Sequence, residues 1–165
     1  MKDGVGVEKT PEESFEGNFE KNERKGRGEA KNEAGWNYDG QWRKGEKNGT
    51  GLLRKWNEAL GELTGTRGTT VELEFYGDWT DGRREGYGVA VEKLGQVKHR
   101  YEGCWRNDLK HGTAVITFHD GSRLKGIFVN SFYDEKRKTR ICKWRRVRGR
   151  VENVQNGGDR GNEIS

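Results

Sequence analysis

Five times along this chain, an aromatic or apolar residue is followed two residues later by glycine and four residues later by a large aromatic residue. The five steps start at Phe15, Tyr38, Phe75, Tyr101 and Leu124. Successive starts lie 23, 37, 26 and 23 residues apart, which indicates a repeat of about 23 residues with one insertion after the second copy. Stacked copies present an extended surface rather than a single pocket. The repeat therefore favours binding over catalysis.

Within each copy, the alternation of side chains along a strand places positions 1, 3 and 5 on the same face. The first residue of the step is position 1. Position 3 is Gly17, Gly40, Gly77, Gly103 and Gly126, and position 5 is Phe19, Trp42, Trp79, Trp105 and Phe128. Two rings thus flank a residue without a side chain. This pattern predicts that a ring lies over the glycine backbone or that a neighbouring copy approaches closely.

Each copy also carries the signals of a β-hairpin. Positions 7 and 8 are residue pairs that favour positive φ, such as Lys44-Gly45 and Asp81-Gly82. A second glycine pair follows on the returning strand, at positions 12 and 14. These residues are Gly26 and Gly28, Gly49 and Gly51, Gly86 and Gly88, and, in the fourth copy, Gly112 with Ala114. The pattern predicts five stacked hairpins.

The segment Tyr38–Gly51, YDGQWRKGEKNGTG, resembles the membrane occupation and recognition nexus (MORN) repeat. The copy starting at Phe75 follows the same pattern with one departure, Glu85, and the copy at Tyr101 follows it with two, Asp108 and Ala114. The copies at Phe15 and Leu124 have degraded motifs typical of capping copies. The resemblance implies an all-β, elongated and twisted antiparallel sheet of about five hairpins, with aromatic side chains lining a groove. MORN proteins serve as scaffolds and adaptors, dimerise in some cases, and have been linked to membrane lipids and to cytoskeletal or ciliary structures.

The sequence divides into three parts. Residues 1–14 are predicted to be a disordered leader, residues 15–135 the repeat domain, and residues 136–165 a basic tail whose last ten or so residues are disordered. The insertion, at about residues 56–70, is polar and rich in glycine and threonine, which predicts a surface excursion; partner binding by this loop is the alternative. Apolar residues make up only 29% of the chain, so a thick core is not expected.

The positive charge of the chain is concentrated in its tail. Residues 1–135 carry a net charge of −2, whereas residues 136–165 carry ten basic and three acidic side chains. Apolar residues at spacings of three and four favour a short basic helix in residues 136–150. Such a helix would cap the end of the repeat, lie on an anionic membrane, or act as a nucleic-acid or nuclear-targeting segment. The predicted lipid- or anion-binding residues are Lys136, Arg137, Lys138, Arg140, Lys143, Trp144, Arg145, Arg146, Arg148 and Arg150.

No catalytic motif emerges from the sequence. Cys104 and Cys142 are too few and too far apart for a disulfide framework or a zinc site, and the three histidines lie in no recognisable catalytic spacing. Glycine pairs that resemble parts of a phosphate loop recur with the hairpin period, so the repeat explains them. We therefore expect no enzyme activity, no metal and no cofactor. The first residues lack the apolar core of a signal peptide, which favours a cytoplasmic, peripheral-membrane or cytoskeletal location.

The leading hypothesis is a scaffold that binds a protein partner in an aromatic-lined groove. The groove residues are predicted to be Tyr38, Trp42, Phe75, Trp79, Tyr101 and Trp105. The first alternative is peripheral binding to anionic phospholipid through residues 136–150. Further alternatives are a regulatory module for a separate enzyme, and nucleic-acid binding or nuclear targeting by the tail. Open sheet ends are also compatible with a homodimer.

Overall fold

The computed structural model describes residues 1–33, 35–57, 71–94, 96–134, 144–147 and 150–153. Its main feature is one antiparallel sheet of 11 strands, in which strands adjacent in sequence are adjacent in space. These strands are β1 (Gly4–Lys9), β2 (Ser14–Glu20), β3 (Glu23–Asn32), β4 (Trp36–Arg43), β5 (Glu46–Asn57), β6 (Val71–Thr80), β7 (Arg83–Leu94), β8 (Val97–Arg106), β9 (Leu109–Thr117), β10 (Arg123–Val129) and β11 (Phe132–Asp134). The predicted all-β sheet of stacked hairpins is confirmed.

Left-handed turn residues make the hairpins tight, as their sequences predict. At the turn between β4 and β5, Lys44 and Gly45 have φ values of 50° and 81°, and at the turn between β6 and β7, Asp81 and Gly82 have values of 46° and 79°. Each turn also contacts the preceding copy. The Gly82 N–H, for example, donates a hydrogen bond of 2.9 Å to the carbonyl of Lys47. The turns therefore fix the hairpins and also tie each hairpin to its neighbour.

A row of small residues crosses the sheet, one on each strand from β1 to β10. Each member lies opposite the next in the strand register. The row consists of Gly6, Gly17, Gly28, Gly40, Gly51, Gly77, Gly88, Gly103, Ala114 and Gly126. A Cβ atom on Gly77 would lie 2.6 Å from the Cα atom of Gly88 and 2.7 Å from Cζ of Phe75. The ring over the glycine backbone is thus present as predicted, whereas the close approach joins the two strands of one hairpin and not two neighbouring copies.

The strands bend around this row. The register shifts within each full hairpin immediately after position 3, for example between Gly40 and Trp42, and such a bulge bends a strand. The bend is also evident in β1 and the residues before it. The Nζ atom of Lys2 and the Oε1 atom of Glu8 are 2.7 Å apart, although six residues of a straight strand would span about 20 Å. The bend brings side chains on one face together, which allows a single sheet to enclose a core.

The N-terminal residues correct one prediction. The sequence predicts a disordered leader over residues 1–14, but β1 spans Gly4–Lys9 and pairs with β2 along its whole length. The physical reason is that Lys2, Gly4 and Gly6 match Arg24, Gly26 and Gly28 at positions 10, 12 and 14 of the first copy. The strand β1 is therefore a returning strand, which continues the repeat without an aromatic residue of its own.

The tail corrects a second prediction. In place of a basic helix, the described residues form two antiparallel strands, β12 (Trp144–Val147) and β13 (Arg150–Asn153), in a sheet of their own. Isoleucine, valine and tryptophan are residue types that favour strands, so their spacing does not by itself indicate a helix. Residues 135–143 and most of the insertion, 58–70, lie outside the described residues. The first residues of the insertion belong to β5, which continues through Trp56 to Asn57.

Candidate functional site

The six predicted groove residues form the core of the sheet. Each is exposed by 5% or less, and they pack together in edge-to-face pairs. Within one hairpin, the Tyr38 and Trp42 ring centroids are 5.3 Å apart. Between hairpins, Tyr38 contacts Trp79 at 5.2 Å and Phe75 contacts Trp105 at 5.0 Å. The rings thus form one continuous stack across the copies.

Hydrogen bonds explain why the central copies carry tryptophan at position 5. Each indole N–H donates to the carbonyl of the position-14 glycine in the preceding hairpin. Trp42 donates to Gly28 at 2.9 Å, and Trp79 donates to Gly51 at 3.2 Å. The first and last copies have Phe19 and Phe128 at this position, and phenylalanine cannot make this bond. The tryptophan at position 5 therefore links its own copy to the preceding copy by a hydrogen bond.

This packing corrects the predicted groove. A partner can stack only on a ring with an exposed face, whereas Tyr38, Phe75 and Tyr101 are each exposed by 2% or less. The sequence shows that these residues share a face of the sheet. It does not show that the bend of the strands closes that face. We call the face that carries the rings the inner face, and the opposite face the outer face.

Sequence reasoning missed a set of cations that cover the rings. They stand at position 10 of the first four copies and are Arg24, Lys47, Arg84 and Lys110. The guanidinium carbon of Arg84 lies 4.5 Å from the Trp105 ring centroid, and Nζ of Lys47 lies 4.7 Å from that of Trp36. Burial lowers the pKa of Lys47 below its usual range. The recurrence of a cation at position 10 was the available signal.

The outer face carries a second row of side chains that crosses the strands. Its members lie opposite one another in the register and are Glu16, Glu29, Asp39, Leu52, Tyr76, Val89, Glu102, Val115 and Lys125. We call this set the outer row. Its centre is apolar, and Tyr76 is 59% exposed between the half-buried side chains of Leu52 and Val89. Tyr76 thus presents its ring to solvent in the middle of the sheet, whereas the exposed rings of Trp56, Phe132 and Tyr133 lie outside the outer row.

A groove of about 800 Å³ adjoins this apolar centre. Leu52 and Tyr76 form one wall, and Asp39 and Arg27 lie on neighbouring strands of the same groove. The Arg27 Nε and Asp39 Oδ1 atoms are 3.8 Å apart, a weak and exposed ion pair. A second cavity, of about 380 Å³, lies toward the other ends of β5 to β8 and is lined by Trp56, Lys98 and their neighbours.

The acidic groups around the apolar centre lie in different electrostatic surroundings. Asp39 and Glu29 lie directly opposite each other on β4 and β3, an arrangement of like charges that destabilises a strand pair. Burial raises the pKa of Asp78, whose carboxylate accepts the Tyr87 N–H at 3.0 Å. On β8, hydrogen bonds from Tyr87 and then Arg100 hold the pKa of Glu102 below its usual range.

Residues considered for catalysis take structural places in the repeat. Cys104 is a buried residue at position 4 of the fourth copy. His99 packs edge-to-face against Phe118, with ring centroids 5.5 Å apart. Across the described ranges, no group of three or more His, Cys, Asp and Glu side chains is placed to hold a metal ion.

The predicted lipid- or anion-binding residues lie mostly outside the described part of the chain. Trp144, Arg145 and Arg146 lie in β12, and Arg150 begins β13. Lys136, Arg137, Lys138, Arg140, Lys143 and Arg148 lie outside the described residues. In the part that the structure covers, no helix is long and apolar enough to cross a membrane.

Comparison with known proteins identifies the repeat. The MORN repeat family model matches four stretches, residues 15–30, 38–55, 75–91 and 101–123. The chain is also similar to alsin from Mus musculus, at 29% identity over 103 residues, and to alsin from Homo sapiens, at 28% over the same length. These matches cover 62% of this chain but only 6% of alsin.

Proposed function

The chain belongs to the MORN-repeat family, and on this premise we propose that it is a non-enzymatic scaffold that binds a protein partner through the apolar centre of its outer face. MORN repeats are modules for interaction with proteins or membranes. The observation that carries the proposal is the exposed Tyr76 ring, which lies between Leu52 and Val89 on the adjacent strands.

The composition of this surface favours a protein partner. Exposed tyrosine is enriched among the residues that contribute most to protein–protein binding, because its rigid ring buries a large area and its hydroxyl can hydrogen-bond. The groove beside Tyr76 and Leu52, at about 800 Å³, has room for several side chains of an extended segment. The partner's apolar side chains would pack on the ring, while its backbone and polar groups would meet the polar walls.

Charge would set the orientation of the partner. On one side of the apolar centre, the outer row continues into Asp39, Glu29 and Glu16. Like charges on adjacent strands repel one another, so a partner with basic residues at this end would relieve a repulsion that the free chain carries. The opposite orientation would place those basic residues near Arg100 and Lys125. We therefore expect a partner segment with an apolar middle and a basic end over β2 to β4.

Affinity capture with matched variants tests the proposal. The Tyr76→Ser/Leu52→Asn double variant removes the apolar centre, and Val5→Ser, at an exposed site on β1, is the control. We expect the double variant to lose partner proteins that both the wild type and the control retain. Both variants should keep the melting temperature of the wild type. The same partners on all three proteins would refute binding at the outer face.

A second arm addresses the basic tail. A chain that ends at Asp134 retains the whole 11-stranded sheet and lacks the tail. Partners that depend on the outer face should remain bound to this shorter chain. Partners that disappear with the tail, and not with the double variant, would assign the interaction to residues 136–165 instead.

A further inference from the structure

Among the described strands, β1 is a returning strand without the first strand of its own hairpin. The returning strands β3, β5, β7 and β9 each pair on both edges, first with the strand of their own hairpin and then with the next copy. By contrast, β1 pairs with β2 alone, and among the described residues no strand lies along its other edge. It is half of a hairpin, with an open backbone edge.

The complete hairpins show what a first strand supplies. In the third copy, Phe75 at position 1 lies over both glycines of its hairpin, Gly77 and Gly88. A Cβ atom on Gly77 would lie 2.6 Å from the Cα atom of Gly88, so neither glycine tolerates a side chain there. The residue at position 5 then packs on the ring, with centroids 5.3 Å apart for Phe75 and Trp79. Fit therefore requires the order aromatic, any residue, glycine, any residue, aromatic.

The inner face of β1 provides the cation and the glycines of the matching half, with Glu8 at the place that Ala30, Leu53 and Ala90 take in complete copies. Gly6 stands at the ladder position of Gly88, yet the nearest atoms to a Cβ built on it are two Phe19 ring atoms at 3.4 Å. No first-strand ring covers Gly6 in the described part of the chain. Lys2 stands at position 10, where Arg24 lies 4.7 Å from the Phe15 ring centroid, and would cover an incoming ring in the same way.

One local contact must open to admit that ring. The Lys2 ammonium and the Glu8 carboxylate meet at 2.7 Å across the bend of β1. Both side chains are substantially exposed, and ion pairs of this kind are weak and screened by salt. Arg24 also contacts Glu8, at 2.9 Å, and would hold its carboxylate after Lys2 has moved. The ion pair between Lys2 and Glu8 is therefore easily broken.

From these contacts we infer that the open edge of β1 is a binding site for an extended strand of another protein with the sequence aromatic-x-Gly-x-aromatic, the first strand of a MORN hairpin. The strand adds to the sheet through backbone hydrogen bonds. Its first aromatic residue lies opposite Glu8, its glycine opposite Gly6, and its second aromatic residue opposite Lys2. This site is separate from the outer row and does not depend on the function proposed for it.

A peptide with the sequence of residues 36–43, WNYDGQWR, serves as the probe. It carries the first-strand pattern, and a fluorescent label allows binding to the full chain to be followed by anisotropy. We expect saturable binding to the wild type. A second peptide with Gly40→Val should bind at least tenfold more weakly, because its valine would meet Gly6 at the closest point of approach.

Variants of the chain locate the site. Gly6→Val fills the space of the incoming ring at a site without positive φ, where the atoms nearest to a Cβ are those of the Phe19 ring at 3.4 Å. We expect it to weaken peptide binding at least tenfold. Val7→Thr, on the outer face of the same strand, should bind as the wild type does. Hydrogen exchange should show peptide-dependent protection of Gly4–Lys9 and none at Phe132–Asp134.

Several outcomes would overturn the inference. These are no binding by the wild type, equal binding of the two peptides, or protection at β11 instead of β1. If Gly6→Val does not fold, the comparison of the two peptides on the wild type decides alone. Concentration-dependent dimerisation of the wild type that Gly6→Val abolishes would assign the edge to a second copy of this chain and reject a separate partner.

Discussion

Replacing Gly77 by alanine tests the glycine row directly. The added Cβ atom would lie 2.6 Å from the Cα atom of Gly88, 2.6 Å from the carbonyl oxygen of Tyr87 and 2.7 Å from Cζ of Phe75. Two of these three atoms belong to the backbone of the neighbouring strand and cannot rotate away. Either β6 and β7 must separate locally or the Phe75 ring must tilt.

The magnitude follows from these overlaps. Carbon atoms normally approach to about 3.5–4.0 Å, so the two contacts with carbon atoms are each about 1 Å too short. Overpacking of a core typically destabilises a protein by about 1–3 kcal/mol. A tilt of Phe75 would also disturb its contacts with Trp79 and Trp105, at 5.3 and 5.0 Å, each worth about 0.5–1.5 kcal/mol. The gain from a stiffer unfolded chain, about 0.4–1 kcal/mol, offsets part of this. We expect a loss of about 2–3 kcal/mol.

The assay is urea unfolding at 25 °C, followed by tryptophan fluorescence and by circular dichroism. Coincident transitions by the two probes would justify a two-state free energy for a repeat protein. Gly6→Ala is the matched control because the atoms nearest to its Cβ atom would be those of the Phe19 ring, at 3.4 Å. It should change the free energy of unfolding by less than about 0.5 kcal/mol.

Two results would refute this reasoning. If Gly77→Ala unfolds within about 0.5 kcal/mol of the wild type, the row is not held at the contact distances described above. If Gly6→Ala is as damaging as Gly77→Ala, the loss arises from the strand position and not from the ring and backbone contacts.

Three further predictions concern the core, the pH dependence and the tail. Trp79→Phe removes the donor to the Gly51 carbonyl, and urea unfolding should show a loss of about 1–3 kcal/mol, because that buried carbonyl is left without its partner; no change would contradict the role of position 5. Burial raises the pKa of Asp78 in the folded state, so the ionised carboxylate opposes folding. The free energy of unfolding should therefore rise as the pH falls through the pKa that Asp78 has in the folded state. Asp78→Asn should raise the free energy of unfolding at pH 7 relative to the wild type and have less effect near pH 3; an equal effect at both pH values would exclude that cause. If the chain binds anionic vesicles, co-sedimentation should fall with salt and vanish in a chain ending at Asp134, and binding by that shorter chain would reject a role for residues 136–150.

The sequence predicts those features of the fold that are determined within one copy of the repeat. The turn pairs and the glycines at positions 3, 12 and 14 predict hairpins, strand pairing and close approach, because each property is decided within one copy. The alternation also places Tyr38 and Trp42 on one face correctly. Whether that face is open depends on the summed bend of all the strands, which no single copy encodes. The predicted groove is therefore the core.

The two errors at the ends have different physical causes. The strand β1 carries no aromatic residue, so a search based on rings passes over it, although Lys2, Gly4 and Gly6 repeat the pattern of a returning strand. In the tail, apolar residues spaced by three and four suggested a helix, but valine and tryptophan have high strand propensity, and β12 and β13 pair with each other. Spacing alone does not distinguish the two when the run is short.

The positions of the repeat have different structural roles, and these roles determine which positions can differ between copies. Positions 1, 3, 5, 10, 12 and 14 are constrained in nearly every copy because they supply the rings, the close approach, the cation and the returning glycines. Position 2 points to the outer face and shares no such constraint. Accordingly, it is Asp39 in the second copy, Tyr76 in the third and Glu102 in the fourth. Position 4 is more constrained, since Gln41 and Asp78 accept hydrogen bonds from backbone N–H groups of the returning strand and Cys104 is buried. Stacking therefore holds the copies in a fixed order while the outer face differs from strand to strand. A partner can recognise that order of charges and apolar groups. The recognition surface should therefore be sought among the residues that the repeat does not constrain.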